Sequence, residues 1–134
     1  MNIILSIKPE YVEKIFSGEK KYEYRKIIFK QKVDTVYIYA SSPIRKIVGE
    51  FRIERIICDA PETIWRQTKE QSGVSKIFFE KYYKGRSKGV ALKIMNCKEY
   101  DNWINPKLLI PDFKAPQSFI YVNTSKIYEI SQGL

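Results

Sequence analysis

The chain has 134 residues, 44% of them hydrophobic, and a formal net charge of +9; that length fits one domain, residues 1–134, with a sizeable core. It contains no histidine, so Ser-His-Asp and Cys-His catalysis and His-ligated zinc or iron sites are excluded, the commonest general base and metal ligand being missing. The apolar run in "MNIILSIKP" is too short for a signal peptide or membrane anchor and no longer one follows, so a soluble, cytoplasmic protein is expected.

Ile3 to Ile7 reads as a short buried strand. Pro9 suits the first turn of a helix, where its missing N–H costs nothing. Val12, Ile15 and Phe16 then form one apolar stripe, and Gly18 is the expected stop, which bounds a helix at residues 9–17. "KYEYR" follows as a strand with Tyr22 and Tyr24 on one face and Lys21, Glu23 and Arg25 on the other. Asp34 to Ala40 is the next strand, with Val36, Ile38 and Ala40 opposed to Tyr37 and Tyr39. The four tyrosines are read as stacking across adjacent strands.

"SSPIR" is a turn, and Lys46 to Ile57 a long strand. Ile47, Phe51 and Ile53 are assigned to one face with Gly49; Val48, Glu50, Arg52 and Glu54 point away. Gly49 inside that strand signals a bulge, a bend or a close backbone approach. "APETIWRQTKEQSG" reads as a helix with Pro61 near its start and Gly73 as its stop. "SKIFFEKYYKG" reads as another, capped by Ser75, with Ile77, Phe78, Lys81 and Tyr82 at helical spacing. Gly89 to Tyr100 is a strand with Val90, Leu92 and Ile94 on one face. Residues 101–124 read as loop, punctuated by three prolines, and "IYEI" as a last short strand. Strands and helices do not alternate regularly. The expectation is therefore an α+β fold: a mixed or antiparallel sheet closed into a small barrel, with helices packed outside. Cys58 and Cys97, far apart and not in a CxxC pair, read as buried thiols.

The charge is spread evenly between the halves but unevenly along them. Lys20 to Lys32 holds six basic residues and one acid, Glu23; Lys81 to Lys93 holds five basic residues and none. Brought together by the fold, these segments would form the electrostatic footprint of a nucleic-acid binder. The same counts also fit two solvated lysine-rich surfaces. Tyr82 and Tyr83 lie within the second segment, and aromatic rings among cations are what single-strand binding uses to stack bases.

"SGEKKYEYR" carries Gly18, Lys20, Glu23 and Arg25 at the spacing GxKxxExR and resembles the signature of the ASCH domain (activating signal cointegrator homology). "LSIKPEYVEKIF", "YASSPIRKIVGEF" and "APQSFIYV" resemble the same family, so the likeness spans nearly the whole chain. The resemblance implies a PUA-like β-barrel and a cleft that takes single-stranded RNA or a nucleotide-like ligand, without a cofactor or metal. It implies a binding module in RNA metabolism or transcriptional regulation. The candidate binding residues are Lys20, Lys21, Glu23, Arg25 and Lys26 from the motif segment. Ser41, Ser42 and Lys46 join them from the turn, Lys84 and Arg86 from the second basic segment, and Gln117, Ser118 and Phe119 from "APQSFIYV". Glu23 would fix Lys20 or Arg25 in one rotamer and leave donors free for a phosphate or base edge.

A hydrolase is the alternative, with Lys20 and Glu23 as its catalytic pair. The acetylcytidine amidohydrolases are similar in fold but carry Thr where this chain has Glu23, a departure from their pattern. A glutamate can still act as base or nucleophile, and a Lys–Glu pair can deprotonate a 2′-hydroxyl. Glu50 could add a second carboxylate, although as a strand residue it is read as facing solvent. A lysine beside a glutamate stays charged, which suits anion recognition; burial would lower its pKa and favour base chemistry instead.

Overall fold

A computed structural model of the chain describes residues 1–122 and 126–131. Among these described residues, six strands form one mixed sheet: β1 (Asn2–Ile7), β2 (Tyr22–Arg25), β3 (Thr35–Ala40), β4 (Lys46–Asp59), β5 (Gly89–Ile104) and β6 (Phe119–Val122). Their order is β2-β5-β4-β3-β1-β6. Only β1 and β3 run parallel; every other neighbouring pair is antiparallel. The sheet curves into a half-barrel of the PUA-like α+β kind, and the strands that hold Tyr22, Val36, Phe51 and Leu92 all belong to it.

Among the described residues, four α-helices accompany the sheet: α1 (Pro9–Ser17), α2 (Pro61–Thr68), α3 (Lys76–Tyr82) and α4 (Lys126–Ser131). Their ends follow local chemistry. Pro9 and Pro61 sit in the first turns of α1 and α2, and Gly18 ends α1 with φ +84°. Ser75 caps α3, its hydroxyl accepting from the Phe78 amide at 3.1 Å.

The sheet has a hydrophobic cluster on each side. Val12 and Ile15 of α1 pack with Leu5, Ile38, Val48, Phe51, Val90 and Leu92. Ile127 of α4 packs with Ile4, Tyr37, Tyr39, Ile47, Tyr100 and Ile104. A third cluster joins Tyr22 and Tyr24 to Ile64 of α2, to Phe79 of α3 and to Tyr83 just beyond α3.

Several expectations are corrected here. "IYEI" lies in a helix, which lets Ile127 reach the core from the side. β5 continues through Ile104, and residues 119–122 form a strand because β1 offers them an open edge. Val48, not Ile47, joins Phe51. The bulge signalled by Gly49 inserts Val48 into the β3–β4 ladder, where Ile38 faces Gly49 and Tyr39 faces Ile47, and so reverses the faces upstream. A Cβ on Gly49 would lie 2.3 Å from the Lys98 carbonyl oxygen and 2.7 Å from the Phe16 ring, so the close approach is real as well. Tyr22 and Tyr24 do not stack on Tyr37 and Tyr39, because β5 and β4 separate β2 from β3. α3 buries Phe79 and leaves Ile77 81% exposed. Both cysteines are exposed and free.

Candidate functional site

The turn between α1 and β2 builds the site. Once Gly18 has reversed the chain, the Lys20 amide donates back to the Lys14 carbonyl at 2.9 Å, which points the Lys20 side chain inward. Lys20 is 2% exposed. Its Nζ donates to the Ser72 carbonyl at 2.9 Å and lies 4.7 Å from the centre of the Tyr24 ring and 5.6 Å from that of Tyr11. The Ser72–Gly73 turn closes tightly over it. Gly73 has φ +67°, and a Cβ there would stand 2.4 Å from the Lys20 Cβ, so only glycine fits. Burial pushes the Lys20 pKa down from 10.5 to about 8; Glu23 opposes the shift, while Lys14 and Arg25 add to it.

Glu23 stands on β2 opposite Leu92 and is 6% exposed. Its Oε2 lies 3.4 Å from Arg25 Nη1. Arg25 Nη2 donates to the carbonyls of Ser6 (3.2 Å) and Ser118 (3.1 Å), which ties β2 to β1 and to the approach of β6. Two neighbouring polar atoms, Arg25 Nε and Ser6 Oγ, are buried without a hydrogen-bond partner among the described residues. Buried polar groups are normally satisfied, so the two atoms are exceptions at the edge of the site.

These side chains face one cavity of about 430 Å³. Lys20, Glu23, Tyr24 and Arg25 come from the α1–β2 turn and β2, Ser6, Ile7, Lys8 and Tyr11 from β1 and the start of α1. Val74, Phe78, Phe79 and Tyr82 come from α3 and its approach, Ser41 from the β3–β4 turn, and Ala115, Pro116 and Gln117 from the segment before β6. The result is a largely aromatic and aliphatic chamber with three cations and a carboxylate in its wall, within the size range of small-ligand pockets. The Tyr24 hydroxyl shares a hydrogen bond of 2.7 Å with Thr68, and burial raises its pKa to about 12, so it is a neutral donor or acceptor near neutral pH.

Of the residues singled out in the sequence, Lys20, Glu23, Arg25, Ser41 and Gln117 line this cavity. Ser118 lies beside it through the carbonyl that Arg25 grips. Lys21, Ser42, Lys46 and Phe119 are outside the lining; Lys21 spends its amide on Gln71 and Phe119 packs edge-on against Phe29 and Tyr121. Lys26 lies over the Tyr82 ring at 4.8 Å, and Arg86 Nη2 donates to the Lys26 carbonyl at 3.1 Å, so the two basic segments do meet. Lys84 and Arg86 line a different cavity. Glu50 accepts from the Tyr100 hydroxyl at 2.8 Å, away from the site.

Ser6, Lys8 and Tyr11 were not singled out, although they belong to the "LSIKPEY" stretch that carried the resemblance. Val74, Phe78 and Phe79 had no signal beyond hydrophobicity. Tyr83 is an internal strut: its hydroxyl is 2.8 Å from the Arg25 carbonyl and 2.9 Å from that of Val90.

Comparison with known proteins gives a consistent picture. The family model of the ASCH domain matches residues 5–130. The large ribosomal subunit protein uL22 of Ureaplasma parvum is 35% identical over 123 residues, 90% of this chain; the chain spans only 39% of that protein's length. An ASCH domain-containing ribonuclease from Zymomonas mobilis is 23% identical over 95% of this chain and 88% of its own. The crystal structure of ASCH from Zymomonas mobilis superposes with a TM-score of 0.88 at 22% identity, over 98% of this chain and 94% of that one.

Proposed function

The chain belongs to the ASCH domain family, and from that premise we propose that it binds single-stranded RNA, or a nucleotide-like ligand, in the cavity around Lys20, Glu23 and Arg25. One observation carries the reading: three cations, Lys8, Lys20 and Arg25, and one carboxylate, Glu23, converge in a single aromatic-walled cavity of about 430 Å³. Tyr11, Tyr24, Phe78 and Tyr82 offer ring faces and edges to a base. Lys20 and Arg25 offer charge to a phosphate or a carbonyl edge, and Glu23 accepts from a ring or exocyclic N–H. Fluorescence anisotropy with a labelled single-stranded oligoribonucleotide tests this. Affinity should fall steeply from low to physiological salt, and Lys20→Ala should weaken binding about tenfold and flatten the salt slope by about one phosphate contact. Binding that ignores salt, or that survives Lys20→Ala unchanged, would refute it.

A second reading has its own observation. Burial lowers the Lys20 pKa to about 8, so a neutral amine is available just above neutral pH, beside a carboxylate in the wall of the cavity. Lys20, paired with Glu23, would then take the proton of a 2′-hydroxyl; the 2′-oxygen attacks the adjacent phosphorus and expels the 5′-oxygen of the next nucleotide, which takes a proton from water, while Arg25 stabilises charge developing on the phosphate. The ribonuclease of Zymomonas mobilis, similar over almost the whole chain, makes RNA cleavage the reaction to test first. Cleavage should rise with pH and level off above about 8, following the amine. It should disappear in both Lys20→Ala and Glu23→Gln. Cleavage that is flat across pH 6–10, or that survives both substitutions, would place the chemistry elsewhere; deacylation of acylated cytidine is assayed with the same variants.

A further inference from the structure

We propose a second base-binding pocket on the far side of α3, so that one single-stranded RNA molecule crosses that helix with a base in each cavity. The inference rests on the reading of the first cavity as an RNA site. α3 is the wall between the two. Its Phe78, Phe79 and Tyr82 face the first cavity, while Lys76, Phe79 and Glu80, with Tyr83 just beyond the helix, face a second one of about 490 Å³.

The second cavity has the parts that sequence-tolerant single-strand binding uses. Trp65 of α2 lines it, half-buried, with its ring centre 4.8 Å from that of Phe79, so the indole is braced from behind. Aromatic faces of this kind stack any base. Arg66, Lys84 and Arg86 also line it and are exposed. Two carboxylates share the lining: Glu80 is within 3.9 Å of Lys76, and Glu62 is the other. The remaining cations leave the rim positive, as a phosphate backbone requires.

The path between the cavities is basic and aromatic too. Arg86 reaches from the second cavity to the Lys26 carbonyl, and the Lys26 ammonium lies over Tyr82, which lines the first. A helix with its side chains is about 10 Å wide, and a ligand that puts a base on each side of it must carry at least two bases. The occupant of both cavities is therefore an oligonucleotide, and a mononucleotide can fill only one.

The test compares a nucleoside monophosphate with a single-stranded RNA of about six nucleotides, by calorimetry on the full chain. Trp65→Ala and, as an exposed change that spares packing, Lys84→Glu should each weaken the hexanucleotide about tenfold and leave the mononucleotide unaffected. In a Trp103→Phe background the hexanucleotide, but not the mononucleotide, should quench the fluorescence of Trp65. Hexanucleotide binding equal to wild type in both variants, or unquenched Trp65, would overturn the proposal. So would displacement of the RNA by polyglutamate at equal charge, because the pocket would then be reading charge without bases. Failure of the underlying reading looks different: Lys20→Ala would leave mononucleotide binding intact, and the spanning strand would fall with it.

Discussion

Lys20 to Lys32 and Lys81 to Lys93 run side by side, with Tyr22 opposite Lys93 and Arg25 opposite Val90 on the β2–β5 ladder. In the first, Lys20 and Glu23 are sealed at 2% and 6% exposure. In the second, Lys81, Lys84, Arg86 and Lys88 are all exposed, and the buried side chains are Tyr83, Val90, Ala91 and Leu92. A buried cation needs a carbonyl, a ring or a carboxylate, and Lys20 has all three nearby. An exposed cation has water. Equal charge excess in sequence thus becomes a tuned group in one segment and a screened surface field in the other.

The comparison breaks first at Glu23. Removing the carboxylate leaves the buried Lys20 and the part-buried Arg25 without their neighbouring anion, so Glu23→Ala should cost about 3 kcal/mol of stability in urea unfolding. A loss under about 1 kcal/mol would mean that the pair is effectively solvated.

The next largest effect is a pH dependence. Lys20 has a folded pKa of about 8 against an ordinary 10.5. Between those values the unfolded chain binds the proton that the folded chain has released, so stability rises with pH through that window. Relative to Lys20→Met, the wild type should gain about 2 kcal/mol between pH 7.5 and pH 10. Working with the difference removes the opposite contribution of the buried tyrosines, whose raised pKa values lower stability above pH 10. A difference that is constant with pH would contradict the burial of Lys20.

The smallest effect sharpens the other side. Lys88→Ala removes an exposed cation of the second segment and should change stability by less than about 0.5 kcal/mol, at low and high salt alike. A loss above about 1 kcal/mol would show that this segment also holds a structural charge.

The local elements were legible in the residues: Pro9 and Gly18 bracketing α1, the Ser75 cap, the alternation of β2, and the bulge at Gly49. Each depends on neighbours within a few positions, where backbone sterics and capping act. The GxKxxExR spacing likewise pointed to the family and to three side chains that line the cavity. Tertiary structure alone decided the rest. Lys20 is buried because the Ser72–Gly73 turn, 52 residues away, closes over it and accepts its hydrogen bond. Phe79 rather than Ile77 faces inward because of where β2 and α2 stand, and Ile127 is helical because the sheet offers a face to cover. Charge and periodicity are properties of a segment, whereas burial, and the pKa that follows from it, belong to the partners that long-range packing brings.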